Sequence, residues 1–206
     1  MEYVKSERKS TVNILILTLF ITIEIIFCFT PLGSIPFGPG IVATLAHIPV
    51  VISALILEKR YSLVMGGIMG LCSFIWWSTI GLANPTSFAF TPLSEFGNFY
   101  SIIICLIPRI LLPFFTSVTF NLLKRKLKIS ISAGVAAAFA TFLHSVMVLG
   151  LIYLFFSRNS NVSESLGKSF ISFIIAWAGI NSIIEILTAG IIGMSVIIPL
   201  KSLKKI

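Results

Sequence analysis

An arginine stands in the middle of a run that is otherwise apolar enough to lie in lipid. The run is Phe96 to Lys128, FGNFYSIIICLIPRILLPFFTSVTFNLLKRKLK, and it reads as one membrane span with Arg109 about eleven residues below its outer end. A guanidinium at the centre of a bilayer costs roughly 2.5–3.5 kcal/mol on insertion scales, so Arg109 is expected to face protein or a wet cavity rather than lipid. Pro108 and Pro113 bracket it. Each proline lacks a backbone N–H and leaves the carbonyl four residues earlier without its helical donor. The span should therefore kink and keep polar backbone that only a protein or cavity neighbour tolerates. Two readings of the arginine stay open: the wall of a ligand cavity, or half of an ion pair that locks two helices.

The chain of 206 residues is 57% hydrophobic and only 11% charged, which excludes an ordinary soluble domain and places it among integral membrane proteins. Apolar spans are expected at about 11–30, 41–57, 62–81, 98–123, 131–156 and 169–200, so the fold class is all-α, a single domain over 1–206 with six transmembrane helices. The net charge of +8 could suggest nucleic acid, but the cations cluster beside the spans. Lys5, Arg8 and Lys9 precede the first; Lys59 and Arg60 follow the second; Lys124, Arg125, Lys126 and Lys128 follow the fourth; Lys201, Lys204 and Lys205 follow the sixth. If the spans alternate, these lie on one side and only Arg158 and Lys168 on the other. The positive-inside rule then puts both termini in the cytoplasm of a multi-pass protein in the cell membrane, with a lipid bilayer and no nucleic acid as partner. The first span runs too long for a cleaved signal and lacks a small-residue cleavage site.

The outward loops are 31–40, 81–97 and 157–168. The first two combine Gly and Pro with Ile35, Phe37, Phe88, Phe90 and Phe96, a mix that suits an ordered lid, although the same aromatics would serve as interfacial anchors. The inward loops are short and basic and carry no phosphate-cradling Gly-rich loop, so nucleotide-driven work requires a partner. Gly66 with Gly70 and Ala189 with Gly193 have small-xxx-small spacing, and Ala133, Gly134, Ala136, Ala137, Ala138 and Ala140 thin the fifth span, all pointing to close internal helix packing. Cys28, Cys72 and Cys105 lie in apolar runs without pairing or metal spacing and read as small core side chains.

Depth arithmetic points to a site. Arg109, His144 and Asn181 each lie about eleven or twelve residues below the outer end of their spans, which at 1.5 Å per residue puts all three at about 16–18 Å. Glu185, one turn below Asn181, comes within plausible reach of Arg109 if the fourth and sixth spans are neighbours. Nearer the outer surface are Glu24 and His47, while Trp76 and Trp77 end the third span beside Asn84 and offer flat walls and an amide. Taken singly, the histidine and asparagine would be helix-to-helix hydrogen bonds and the tryptophans an interfacial belt; the shared depth favours a ligand cavity. No H-E-x-x-H, paired-cysteine spacing or Gly-x-Ser-x-Gly elbow is present, so no enzyme activity, catalytic residue, metal or cofactor is expected.

The runs IPFGPGIVATLAHIPVVISALILEKR (35–60), NPTSFAFTPL (84–93), GNFYSIIICLIPRILL (97–112), TFLHSVMVLGLIYLFF (141–156) and INSIIEILTAGII (180–192) resemble the substrate-binding S-components of energy-coupling factor vitamin transporters, and most of all the pantothenate-type branch. The resemblance implies a six-helix protein that captures a water-soluble vitamin from outside under a lid of outer loops. It implies partners as well: a transmembrane coupling subunit and two ATP-binding cassette ATPases. Carried over by matching stretch, Arg109, His144, Asn181 and Glu185 would line or support the pocket, with Asn84 approaching from the lid; Trp76 and His47 join the candidate site by their position alone. The chain departs from the pattern twice: Thr18 and Thr22 stand where many members show an Ala-x-x-x-Ala docking face, and His144 stands where an asparagine is expected. Pantothenate is the leading substrate. The alternatives are another vitamin, such as riboflavin or folate, or a membrane scaffold or intramembrane enzyme in which Arg109 and Glu185 form a structural pair.

Overall fold

A computed structural model describes residues 2–38, 41–157 and 170–203, with side chains described over 10–34, 44–157 and 181–202. The expectations for Arg158, Lys168, Lys204 and Lys205, and for the side chains of Lys5, Arg8, Lys9, Ile35 and Phe37, lie outside the described residues. Among the described residues the α-helices are α1 (Glu2–Phe29), α2 (His47–Ile56), α3 (Lys59–Ser78), α4 (Phe99–Leu123), α5 (Ile129–Phe156) and α6 (Phe170–Leu203). Five of these are long and apolar enough to cross a membrane. Their outward side chains are apolar too, among them Leu15, Leu19, Phe99, Leu154 and Ile191, all exposed. A surface so rich in large exposed hydrophobics is suited to lipid and not to water.

The expected span 41–57 is corrected. Its first residues form β2 (Ile41–Thr44), which pairs antiparallel with β1 (Ser34–Gly38), Ser34 opposite Thr44. The Leu45 amide then donates to the Gly33 carbonyl at 2.7 Å, closing the hairpin at its base. Helix α2 keeps only 10 residues, about 15 Å at the α-helical rise and half of a bilayer core. The reason is local. Proline and glycine crowd 31–40, and backbone N–H groups that a helix would have used inwardly are used across the hairpin instead.

Small residues set the helix contacts. A Cβ added to Gly66 of α3 would meet the Arg109 carbonyl oxygen at 2.6 Å and the Pro113 ring at 2.8 Å, so only glycine lets α3 approach α4 there. A Cβ on Gly134 would meet the Gly190 carbonyl oxygen at 2.9 Å, and one on Gly193 the Ala137 methyl at 2.9 Å, which seats α6 against the buried alanines of α5. That contact also fixes the antiparallel register. Ten residues from Gly134 toward the end of α5 is His144 and nine residues from Gly190 toward the start of α6 is Asn181, so both lie at about the same level, ~14–15 Å from the contact along the helices.

The loop between α3 and α4 is packed rather than solvated. Phe88 is buried and meets Phe156 edge-on at 5.0 Å. Its carbonyl accepts from the Ser101 hydroxyl at 2.6 Å, and that hydroxyl in turn accepts from the Asn98 amide at 3.1 Å in the capping box that starts α4. The loop expected over 81–97 is therefore ordered and partly packed, with Leu82, Asn84 and Leu93 left exposed. Gly66→Ala is expected to destabilise the protein by about 1–3 kcal/mol through overpacking, whereas Gly67→Ala, with nothing within 4 Å of its added Cβ, should be neutral or slightly stabilising. Thermal unfolding of both variants in one detergent checks the pair.

Candidate functional site

Arg109 is 7% exposed. Its Nη1 donates to the Ile104 carbonyl at 3.1 Å. That carbonyl is the one Pro108 leaves without a helical donor, so the side chain that most needs an acceptor takes the acceptor the proline released. The guanidinium carbon lies 5.2 Å from the centre of the Phe90 ring, a cation–π contact delivered by the loop between α3 and α4. One hydrogen bond from five N–H donors leaves the arginine largely unspent, and Nε is buried with no partner.

Arg109 lines a cavity of about 640 Å³ whose walls come from α1, the base of the hairpin, α2, α3, α4, α5 and α6. His47, Trp76, His144, Asn181 and Glu185 line it as well. Arg109, His144 and Asn181, expected in one layer, line one cavity. Nε2 of His47 and Nε2 of His144 are each buried without a hydrogen-bond partner. The apolar wall is aromatic: Trp76 and Trp77 meet edge-on at 4.9 Å, and Trp77 stacks on Phe90 at 4.8 Å. Gly81 lets the chain fold back over them, since a Cβ there would meet the Trp76 ring at 2.3 Å.

Two expectations are corrected. Glu185 makes no ion pair with Arg109. Its Oε1 accepts from the backbone amide of Thr44 at 2.9 Å and also from the Thr44 hydroxyl. A main-chain donor at the end of β2 and its own side chain outcompete the arginine because the hairpin brings both to one oxygen, and α6 thereby holds the hairpin in place. Asn84 does not line the cavity either. It is exposed, and its Oδ1 accepts from the Thr86 amide at 3.0 Å and the Thr86 hydroxyl at 2.8 Å, which turns the loop. Glu24 is fully buried in α1, accepts from the Cys28 thiol at 3.3 Å and lies outside the cavity lining, whereas Cys28 lines it.

Several lining residues escaped the sequence reading: Thr44, Ser73, Ser145 and Ser182. Ser145 and Ser182 adjoin His144 and Asn181, and that adjacency was the available signal. Thr44 was hidden inside a run read as helix.

Helices that are mostly long enough to cross lipid, around an aromatic-walled cavity with an underused arginine, make this a multi-pass membrane protein with an internal cavity. The chain is similar over nearly its whole length to the pantothenic acid transporter PanT of Lactococcus lactis subsp. cremoris (strain MG1363), at 29% identity over 199 residues, covering 93% of this chain and 94% of that protein. This likeness supports the pantothenate-type resemblance carried by the sequence runs. No protein-family model matches the chain.

Charge-assisted hydrogen bonds are among the stronger ones. Glu185→Ala is therefore expected to speed amide exchange at Thr44 by about tenfold, and Glu185→Gln, which keeps an acceptor oxygen, by less. Hydrogen–deuterium exchange of the segment 41–46 checks both.

Proposed function

We propose that this chain is the substrate-binding S-component of an energy-coupling factor transporter and that it captures pantothenate from outside the cell. The observation that carries the reading is Arg109, buried in the cavity wall with one of its five N–H groups used by the protein. A planar guanidinium matches a carboxylate bidentately, and such bonds strengthen where water is excluded. Pantothenate offers that carboxylate, together with hydroxyls and an amide for His144, Asn181, Ser145 and Ser182, and an aliphatic centre for Trp76 and Trp77. The cavity of about 640 Å³ lies within the range of about 300–1,000 Å³ common to small-molecule sites. The printed function of the relative, a pantothenic acid transporter, points the same way.

In this reading both termini and the basic helix ends are cytoplasmic, the hairpin and the 79–98 loop cover the cavity from outside, and partner subunits supply ATP hydrolysis. Glu185 acts on the lid through Thr44 and not on the arginine. The scaffold or enzyme alternative rested on a structural Arg109–Glu185 pair, and that pair is not formed.

Arg109→Lys keeps charge but loses the planar fork, so pantothenate affinity should fall by about tenfold or more with the melting temperature of the apo protein little changed. Calorimetry with pantothenate, riboflavin and folate checks it; full pantothenate affinity in the lysine variant, or tighter binding of another vitamin, sinks the assignment. Topology has its own check. Single cysteines placed at Ser34 and at Lys126 should react with an impermeant reagent from outside and only after permeabilisation, respectively.

A further inference from the structure

The cavity wall holds two charges of opposite sign that do not meet. Its acidic or basic lining residues, histidines aside, are Arg109 and Glu185 among the described residues, and there neither makes an ion pair. They stand on α4 and α6, and α5 packs against both of those helices. Glu185 uses one oxygen. Oε1 accepts from the Thr44 amide at 2.9 Å and from the Thr44 hydroxyl, while Oε2 has no hydrogen-bond partner among the described residues and, unlike Nε of Arg109, is not a buried atom. A backbone donor that holds one carboxylate oxygen fixes the direction of the other, so Oε2 is an acceptor set in place before any solute arrives. His47 is near enough to interact with this carboxylate electrostatically, yet its Nε2 has no hydrogen-bond partner.

We propose that Glu185 determines which solutes the cavity accepts: Oε2 accepts a hydrogen bond from a solute hydroxyl at the end away from the solute's carboxylate, and the charge of Glu185 excludes a solute with a second anionic group at that end. The inference rests on the pantothenate reading given above and deepens it. Pantothenate has its carboxylate at one end and its hydroxyls toward the other, so with Arg109 holding the first end the second presents O–H donors to Glu185. The phosphate ester of its primary hydroxyl keeps the carboxylate but brings like charge to Glu185. Selectivity is a difference of affinities, and an unfavourable contact with the wrong solute is an effective way to set it. Glu185 also tethers the hairpin, and the test separates that structural role from selection.

Dissociation constants of the full-length chain in detergent are measured by calorimetry for pantothenate, for the phosphate ester of its primary hydroxyl, and for the analogue with hydrogen in place of that hydroxyl. In the wild type the ester should bind about a hundredfold or more weakly than pantothenate, and the hydrogen analogue about tenfold more weakly. Glu185→Gln keeps an acceptor for Thr44 but removes the charge, so the ratio between ester and pantothenate should shrink by about tenfold or more. Thr44→Val weakens the tether and keeps the charge; both affinities should fall together and leave that ratio as it was. The inference is overturned if the wild type binds the ester or the hydrogen analogue as tightly as pantothenate, if Glu185→Gln changes the affinities for pantothenate and the ester in the same proportion, or if Thr44→Val shrinks the ratio as much as Glu185→Gln. The wild-type comparison holds whether or not a variant folds, and melting temperatures of the apo proteins show which do. A wild type that binds neither pantothenate nor the ester removes the pantothenate reading and this inference with it; pantothenate binding without the selectivity removes this inference alone.

Discussion

The hydrogen bond from Arg109 to the Ile104 carbonyl is the contact on which the cavity depends. A guanidinium at mid-depth and a helical carbonyl without a donor are each unfavourable in lipid, and Pro108 puts them within one side chain's reach of one another. Each offsets part of the other's cost without calling on a carboxylate. A direct ion pair would have neutralised the arginine; a neutral carbonyl leaves its charge in place. Pro113 repeats the device one turn lower, where it frees the Arg109 carbonyl and Gly66 gives that carbonyl a backbone neighbour instead of a clash.

The rest of the bundle brings other helices to the level of that charge. Gly134, Ala137, Gly190 and Gly193 allow α5 and α6 to touch backbone to backbone, and the register of that touch sets His144 and Asn181 at one height. Such contacts suit a membrane interior, where apolar side chains gain nothing from leaving lipid and close van der Waals packing supplies the association. The aromatic wall works differently. Phe90 comes from a loop whose Phe88 packs on Phe156 and is anchored through Ser101 and Asn98, so the loop is held by hydrogen bonds and ring packing while Phe90 stacks on Trp77 in the wall.

Glu185 connects α6 to the hairpin. Its contact with Thr44 spans 141 positions of sequence and reaches a part of the cavity wall that is built from a strand. It couples the hairpin to α6 without pairing with Arg109.

Much of this was legible in the sequence because it depends on distance along a helix axis. Counting residues from a span's end fixes depth, which is why Arg109, His144 and Asn181 could be placed in one layer, and small-residue spacing marked the helix faces that do pack. Depth says nothing of azimuth or of what a loop folds back to offer. Glu185 is at a height plausible for Arg109 yet turns to Thr44, Asn84 is beside the lid yet spends its side chain on Thr86, and a stretch as apolar as 41–57 is divided between strand and short helix. Those choices are made by competition among partners distant in the chain, with the hairpin's backbone donors nearest to Glu185, and only the tertiary structure sets which donor arrives first.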